Sequence, residues 1–136
     1  MWIKATGNGR KGGNAMIYTS YFAKMRKMPE NLVTISICIV TPQWYKGKQY
    51  KKLAPRNNFF SAWKITHDNH LYVEQYNREV LAHLDPHETV RELMELSGGK
   101  DIALMCYEKP TDFCHRHLVA QWLQKAGYEV REWKEA

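Results

Sequence analysis

Apolar residues along the chain form short runs, separated by longer segments in which they recur at helical spacing. Four runs in which apolar, β-branched and aromatic side chains predominate predict strands. They cover residues 16–22, 32–40, 101–107 and 128–133. The longer segments predict helices, because their apolar residues repeat every three or four positions. They cover residues 71–84, 86–97 and 111–126, and a shorter helix begins near Phe59.

The run at residues 32–40 is the most strongly apolar of the four. Its first half alternates with Thr34 and Ser36, and its second half is continuous, a pattern typical of a strand covered on both faces in a parallel sheet. We expect a strand from Val33 to Val40 that is central and buried on both faces. Strands alternating with helices predict an α/β fold: a single domain with a mostly parallel central sheet flanked by helices, in a Rossmann-like sandwich.

Two helix starts have recognisable signals. Asp85 precedes Pro86, and this pair is favoured at the cap and the first position of a helix. For the last helix, Thr111 or Asp112 is the predicted cap. A glycine follows the last turn of both helices and is expected to end them.

The length of 136 residues is that of one domain, which we place at residues 16–136. Residues 1–15 are glycine-rich and basic, and they lack the lysine-serine or lysine-threonine ending of a phosphate-binding P-loop. A flexible leader is therefore expected there. No apolar run is long enough for a membrane span or a signal peptide. Three cysteines make an odd number, which favours reduced thiols and a cytoplasmic protein.

The formal net charge of +6 at pH 7 favours an anionic partner, either a nucleotide or a nucleic acid. The loop at residues 44–56 has candidate ligand contacts, because basic side chains neutralise phosphates and aromatic rings stack on bases. These candidates are Trp44, Tyr45, Lys51 and Lys52. The alternative is a solvated loop whose aromatic residues anchor it to the core. Aromatic side chains also suit subunit interfaces, so the composition is compatible with a homo-oligomer.

The segment CYEKPTDFCHRH, residues 106–117, concentrates reactive side chains between a strand and a helix. A helical wheel of about 100° per residue places His115 at the centre of the apolar stripe of the last helix. Cys114 and Arg116 lie on either side of it, and His117 lies opposite. The first three side chains are expected to face the carboxyl edge of the sheet, where α/β proteins bind ligands.

Three kinds of chemistry are candidates for this corner. A zinc site needs about four tetrahedral ligands, but the spacing directs the two histidines apart, so we expect no metal and no cofactor. A thiol nucleophile would be Cys114, because a helix N-terminus and basic neighbours favour the thiolate. An anion site would use the open helix start with Arg116 as a planar cation. The alternatives are a cysteine that only packs and an arginine satisfied internally by Glu108 or Asp112.

The chain resembles DUF488, a family of domains without an assigned function. The resemblance rests on Cys106-Tyr107-Glu108 at a strand end and Cys114-His115-Arg116 at a helix start, and it includes Tyr18-Thr19-Ser20-Tyr21 in the first strand. It extends from Met16 to about Trp133 and implies an α/β fold without a settled activity. The resemblance implies an Asp-x-Arg pair at the end of the second strand, which many members of the family carry. The matching residues 36–40 of this chain carry neither charge.

These features leave three functions open. A binding module for a nucleotide-like or nucleic-acid anion would hold its ligand at residues 106–117 with Arg116, Tyr21 and Ser20, besides the loop at 44–56. Replacing Arg116 by alanine is then expected to abolish ligand binding at little cost to the fold. An enzyme acting on such a ligand would use Cys114 as nucleophile or His115 as acid or base, with Glu108 nearby. The third function is an interaction scaffold without a small-molecule site.

Overall fold

The computed structural model describes residues 15–135. Within them the chain forms five strands: β1 (Ile17–Tyr21), β2 (Val33–Ser36), β3 (Lys48–Gln49), β4 (Ile102–Cys106) and β5 (Val130–Glu132). The four α-helices are α1 (Asn57–Thr66), α2 (Asn69–Glu79), α3 (Pro86–Ser97) and α4 (His115–Lys125). Short 3₁₀ turns cover Phe22–Lys27, Lys51–Leu53 and Leu81–His83. The leader predicted for residues 1–15 lies, apart from Ala15, outside the described residues.

The strands of the described chain form one parallel sheet in the order β3-β2-β4-β1-β5. Every residue of β4 is buried, which makes β4 the central strand. Helix α3 packs against β4, and α4 packs against β1, β4 and β5. The prediction of a single α/β domain with a parallel sheet flanked by helices is confirmed.

The strand predicted from Val33 to Val40 is shorter and less central than expected. β2 ends at Ser36 and lies between the two-residue strand β3 and the central β4. The chain then turns, because the Cys38 amide donates a hydrogen bond to Ser36 Oγ at 3.2 Å instead of continuing the ladder. Ile37 and Cys38 are buried, but Val40 is 67% exposed. The continuous apolar run therefore marks a short strand followed by a buried loop.

The helices begin and end largely where the apolar periodicity places them. The predicted helix at 71–84 stops at Glu79 and continues as a 3₁₀ turn. The start of α4 was predicted wrongly: Thr111 and Asp112 lie in the preceding loop, and Cys114 is the extended residue before His115. No side chain of the described residues caps this helix by a hydrogen bond. Among residues 15–135, no helix combines the length and apolar character needed to cross a membrane.

The two proposed caps provide a test of these helix starts. Asp85 Oδ2 accepts a hydrogen bond from the Glu88 amide at 2.8 Å, so Asp85→Ala should lower the free energy of unfolding by about 1 kcal/mol. Asp112 is exposed and caps no helix. Asp112→Ala should therefore change the free energy of unfolding by less than about 0.5 kcal/mol. Urea denaturation measures both values. Equal losses would contradict the start of α4 at His115.

Candidate functional site

The loops after β2 and β4 leave the sheet in opposite directions. From β2 the chain continues to β3 at one edge, whereas from β4 it continues through α4 to β5 at the other edge. Ligands of parallel α/β proteins bind in the crevice that such a divergence opens at the carboxyl ends of the strands. The candidate site is therefore the space between residues 37–40, residues 107–114 and the start of α4.

A cavity of about 470 Å³ occupies this crevice. Its volume is within the range of small-molecule sites, which is roughly 300–1,000 Å³. Its walls come from the loop after β2, the segment leading into α1, α1 itself, the loop after β4 and the start of α4. The lining residues are Cys38, Ile39, Val40, Pro55, Asn57, Phe60, Ser61, Lys64, Tyr107, Glu108 and His115.

Hydrogen bonds from two side chains hold the cavity loops in place. The Tyr107 hydroxyl donates to the Val40 carbonyl at 2.9 Å and so joins the loops that follow β4 and β2. Lys51 Nζ donates to the Cys38 carbonyl at 3.3 Å and to the Ile39 carbonyl. Lys51 itself does not line the cavity. Its ammonium group is held by the backbone oxygens of two residues that do.

His115 is buried at the inner end of the cavity. Its Nε2 lies 2.7 Å from the Ile37 carbonyl oxygen, which can only accept, so we assign the proton to Nε2. The sulfur of Cys106 lies 3.9 Å from Nδ1 and 3.8 Å from Nε2, so it approaches both ring nitrogens about equally. Burial opposes the charged imidazole, yet the hydrogen bond and charge of Cys114 raise the pKa of His115 above its usual value.

Three reduced cysteines surround this imidazole: Cys38, Cys106 and Cys114, all buried. Burial raises the pKa of Cys106 well above its usual value, with further increases from its two cysteine neighbours. Burial also disfavours the Cys114 thiolate, but hydrogen bonds from Cys106 and His115 bring the pKa of Cys114 well below its usual value. A negative charge on Cys114 and a positive charge on His115 would therefore favour each other, which is why the two pKa values shift in opposite directions.

Glu108 connects this cluster to the cavity. This residue lines the cavity and is half-buried. Burial raises the pKa of Glu108, and the negative charge of Cys114 raises it further. The structure thus brings together the three residues that the sequence selected as catalytic candidates, although only Glu108 and His115 line the cavity. Cys114 lies behind them.

Arg116 does not lie where the sequence pattern placed it. Its side chain is fully buried, with 0% exposure, and it does not line the cavity. Nε and Nη2 donate to the carboxylate of Glu132 at 3.3 and 3.0 Å, and Nη1 donates to the Glu108 carbonyl at 2.7 Å. Tyr21 places its ring 5.7 Å from the guanidinium. Arg116 was expected to contact a ligand, but it forms an internal ion pair with Glu132 instead. It also holds the backbone carbonyl of Glu108.

The other predicted ligand residues are also separated from the cavity. Ser20 is buried in β1, and its Oγ has no hydrogen-bond partner in the described part of the chain. Tyr45 is buried, and its hydroxyl donates to the Lys48 carbonyl at 2.6 Å. Lys52 forms an ion pair with Glu92 at 3.0 Å. Trp44 is 57% exposed, and its ring meets Phe22 edge-on.

Several cavity residues had no signal in the sequence that separated them from core or surface residues. Cys38 belonged to the apolar run of a predicted strand, and Phe60 and Lys64 belonged to a short predicted helix. Lys64 Nζ lies 5.3 Å from the centre of the Phe60 ring. The one available hint was the continuous apolar stretch after Ser36, which is longer than β2 requires.

The fold and the site define a parallel α/β protein with a cysteine-histidine cluster beside a ligand-sized cavity. The chain belongs to the DUF488 family: a family model described as the active DUF488-N3 subclade matches residues 18–127. This match confirms the resemblance that the sequence motifs indicated. No curated protein and no solved structure matches the chain.

Proposed function

We propose that the protein is an enzyme that acts on a small, anionic, nucleotide-like ligand in the cavity, with Glu108 as the general acid or base. The observation that carries the proposal is the position of Glu108 in the wall of a ligand-sized cavity at the carboxyl ends of β2 and β4. A group that transfers a proton must first lie within reach of the ligand. Glu108 meets this requirement, and Cys114 is set further back.

The chemistry of the cavity wall supports this class of ligand. Phe60 and Tyr107 supply aromatic surface, against which a planar heterocycle can pack. Lys64 supplies a cation in the same wall, and Asn57 and Ser61 supply neutral polar groups. A pocket that is largely apolar with a few polar groups is typical of small-molecule sites. The net charge of +6 favours an anion over a cation.

A mononucleotide fits the site better than a long nucleic acid. The loop at 44–56 was the expected platform for a polymer, but Tyr45, Lys51 and Lys52 are engaged within the protein. Of the residues considered there, Trp44 retains a largely exposed side chain. The description of the matched subclade as active favours an enzyme over a binding module or a scaffold, although it specifies no reaction.

Covalent catalysis by Cys114 is the second candidate. Its support is the mutual stabilisation of the Cys114 thiolate and the His115 imidazolium at the start of α4. A ligand in the cavity would have to reach past His115 and Glu108, because Cys114 does not line the cavity. This geometry favours the acid-base role of Glu108 over a nucleophilic role of Cys114.

A thermal-shift screen of nucleoside mono- and diphosphates tests the proposed ligand class. A ligand that binds only the folded state at about 100 times its Kd adds about 2.7 kcal/mol of stability. We expect one of these nucleotides to raise the melting temperature of the wild type, and Lys64→Ala to reduce the shift. Lys100→Ala is the matched control. Lys100 is exposed and lies just before the amino-terminal end of β4, whereas the cavity lies at the carboxyl ends of the strands.

Two results would contradict the proposal. One is the absence of any shift with all the nucleotides tested. The other is an equal loss of the shift in Lys64→Ala and Lys100→Ala, which would place the ligand elsewhere on the protein.

A further inference from the structure

The cysteine-histidine cluster has a second property that the proposed acid-base role does not use. The sulfur atoms of Cys106 and Cys114 and a ring nitrogen of His115 all lie within 4.8 Å of one another. The three residues are buried, and they come from two segments, the end of β4 and the first residues of α4. Two thiols and one imidazole are ligands that zinc prefers in proteins.

We propose that Cys106, Cys114 and His115 bind a zinc ion whose fourth coordination position faces the cavity. This inference concerns only the three metal-binding residues. It does not depend on which small molecule occupies the cavity. Three protein ligands with an open fourth position are the arrangement of catalytic zinc sites, whereas structural sites use four protein ligands.

The spacing of the three groups is close to the size of a zinc site. Bond lengths of about 2.3 Å to sulfur and about 2.0–2.1 Å to nitrogen place tetrahedral ligands roughly 3.6–3.8 Å apart. Cys106 Sγ lies 3.9 Å from His115 Nδ1 and 3.8 Å from Nε2. With every pair of ligand atoms within 4.8 Å, the three groups need to approach one another by no more than about 1.2 Å to hold the ion.

The hydrogen-bond partner of His115 also suits a metal ligand, and a small turn of the ring would aim Nδ1 at the sulfurs. Nε2 donates to the Ile37 carbonyl at 2.7 Å, which leaves Nδ1 as the coordinating nitrogen. Zinc-bound histidines almost always donate their second ring nitrogen to a carbonyl or a carboxylate, because this bond fixes the ring and its tautomer. The carbonyl belongs to the loop after β2, so the metal would connect the two sides of the crevice.

The fourth position is assigned to the cavity because of where Cys38 lies. Cys38 lines the cavity, but its sulfur is outside the three-atom group and lies 3.5 Å from the Met105 carbonyl. His115 belongs both to the group and to the cavity wall. From the sequence we expected no metal, because the spacing directs the two histidines apart, and His117 lies outside the group. A site of two cysteines and one histidine does not need His117.

Metal analysis of the purified wild-type protein tests the proposal without any cavity ligand. We expect about one zinc per chain by elemental analysis, after purification in zinc-containing buffer and removal of free metal. After chelation, one equivalent of Co²⁺ should produce visible absorption bands of a tetrahedral site, together with a sulfur-to-cobalt charge-transfer band. Zinc retention and the charge-transfer band should both be lost in Cys114→Ser. Cys38→Ser, which alters a neighbouring buried thiol, should keep both.

The outcomes are distinct from those of the ligand screen. Lys64→Ala should keep its zinc, because Lys64 is not one of the three metal-binding residues. Wild-type protein that binds zinc but no nucleotide would support the metal site and reject the proposed ligand. Wild-type protein that shows no cobalt-thiolate band would overturn the metal site, as would equal zinc content in Cys114→Ser and the wild type. Loss of zinc in Cys38→Ser would replace the open site with a closed one of four protein ligands.

Discussion

Replacing Arg116 by methionine should lower the free energy of unfolding by about 3 kcal/mol or more. Arg116 is fully buried, and its removal would leave the Glu132 carboxylate and the Glu108 carbonyl without three hydrogen bonds. Removing one member of a buried ion pair is costly because the remaining charge stays in a poorly solvated position. The side chain of Glu132 is 20% exposed, so we expect a loss near the lower end of the usual range.

Arg131→Met is the matched control for this substitution. Arg131 precedes Glu132 in β5, but its side chain is 69% exposed and pairs with Glu129 at the surface. Surface ion pairs contribute about 0–1 kcal/mol, so the control should remain close to the wild type. Denaturant unfolding at neutral pH measures both. Similar stabilities of the two variants would show that Arg116 is not the internal anchor described above.

Replacing Glu108 by glutamine should lower turnover of the cavity ligand by about 10²–10⁴-fold. Glutamine preserves the size of the side chain and its hydrogen-bonding oxygen, but it cannot transfer a proton. The nucleotide that stabilises the wild-type protein should therefore still produce a thermal shift with the variant. Turnover of that nucleotide, followed by chromatography of the products at saturating concentration, provides the measurement.

The control for Glu108→Gln is Glu74→Gln, which alters an exposed carboxylate in α2 away from the cavity. Glu74→Gln should retain wild-type turnover. Full activity of Glu108→Gln would remove Glu108 from the chemistry. If Cys114→Ser then lost turnover and kept its metal content, covalent catalysis by Cys114 would become the better explanation.

Much of the fold was predictable because its signals are local. The strands β1 and β4 coincide with short apolar runs, and Asp85 caps α3 as its position before a proline indicates. The length of β2 was not predictable in the same way. Ile37 and Cys38 are apolar because they are buried in the loop after the strand, and an apolar run does not distinguish that loop from a longer strand.

The candidate site was predictable where its residues are neighbours in the sequence. Cys114 and His115 are adjacent, and the strand-to-helix pattern places them with Cys106 at the sheet edge. The position of Arg116 depends on Glu132, sixteen residues later in the chain, and that pairing follows from the packing of α4 beside β5. Lys64 and Phe60 reach the cavity through the packing of α1, which no local pattern specifies.

The sheet ends in very short strands on both sides. β3 contributes two residues at one edge, and β5 contributes three at the other. Exposed strand edges are templates for pairing with another chain, and short edges limit such pairing. Two copies of the described chain therefore have little backbone available to join their sheets into a continuous one. If the protein forms a homo-oligomer, we expect the subunits to contact each other through side-chain surfaces. Incubation at high concentration should not produce fibrils in which the sheets of successive copies are joined edge to edge.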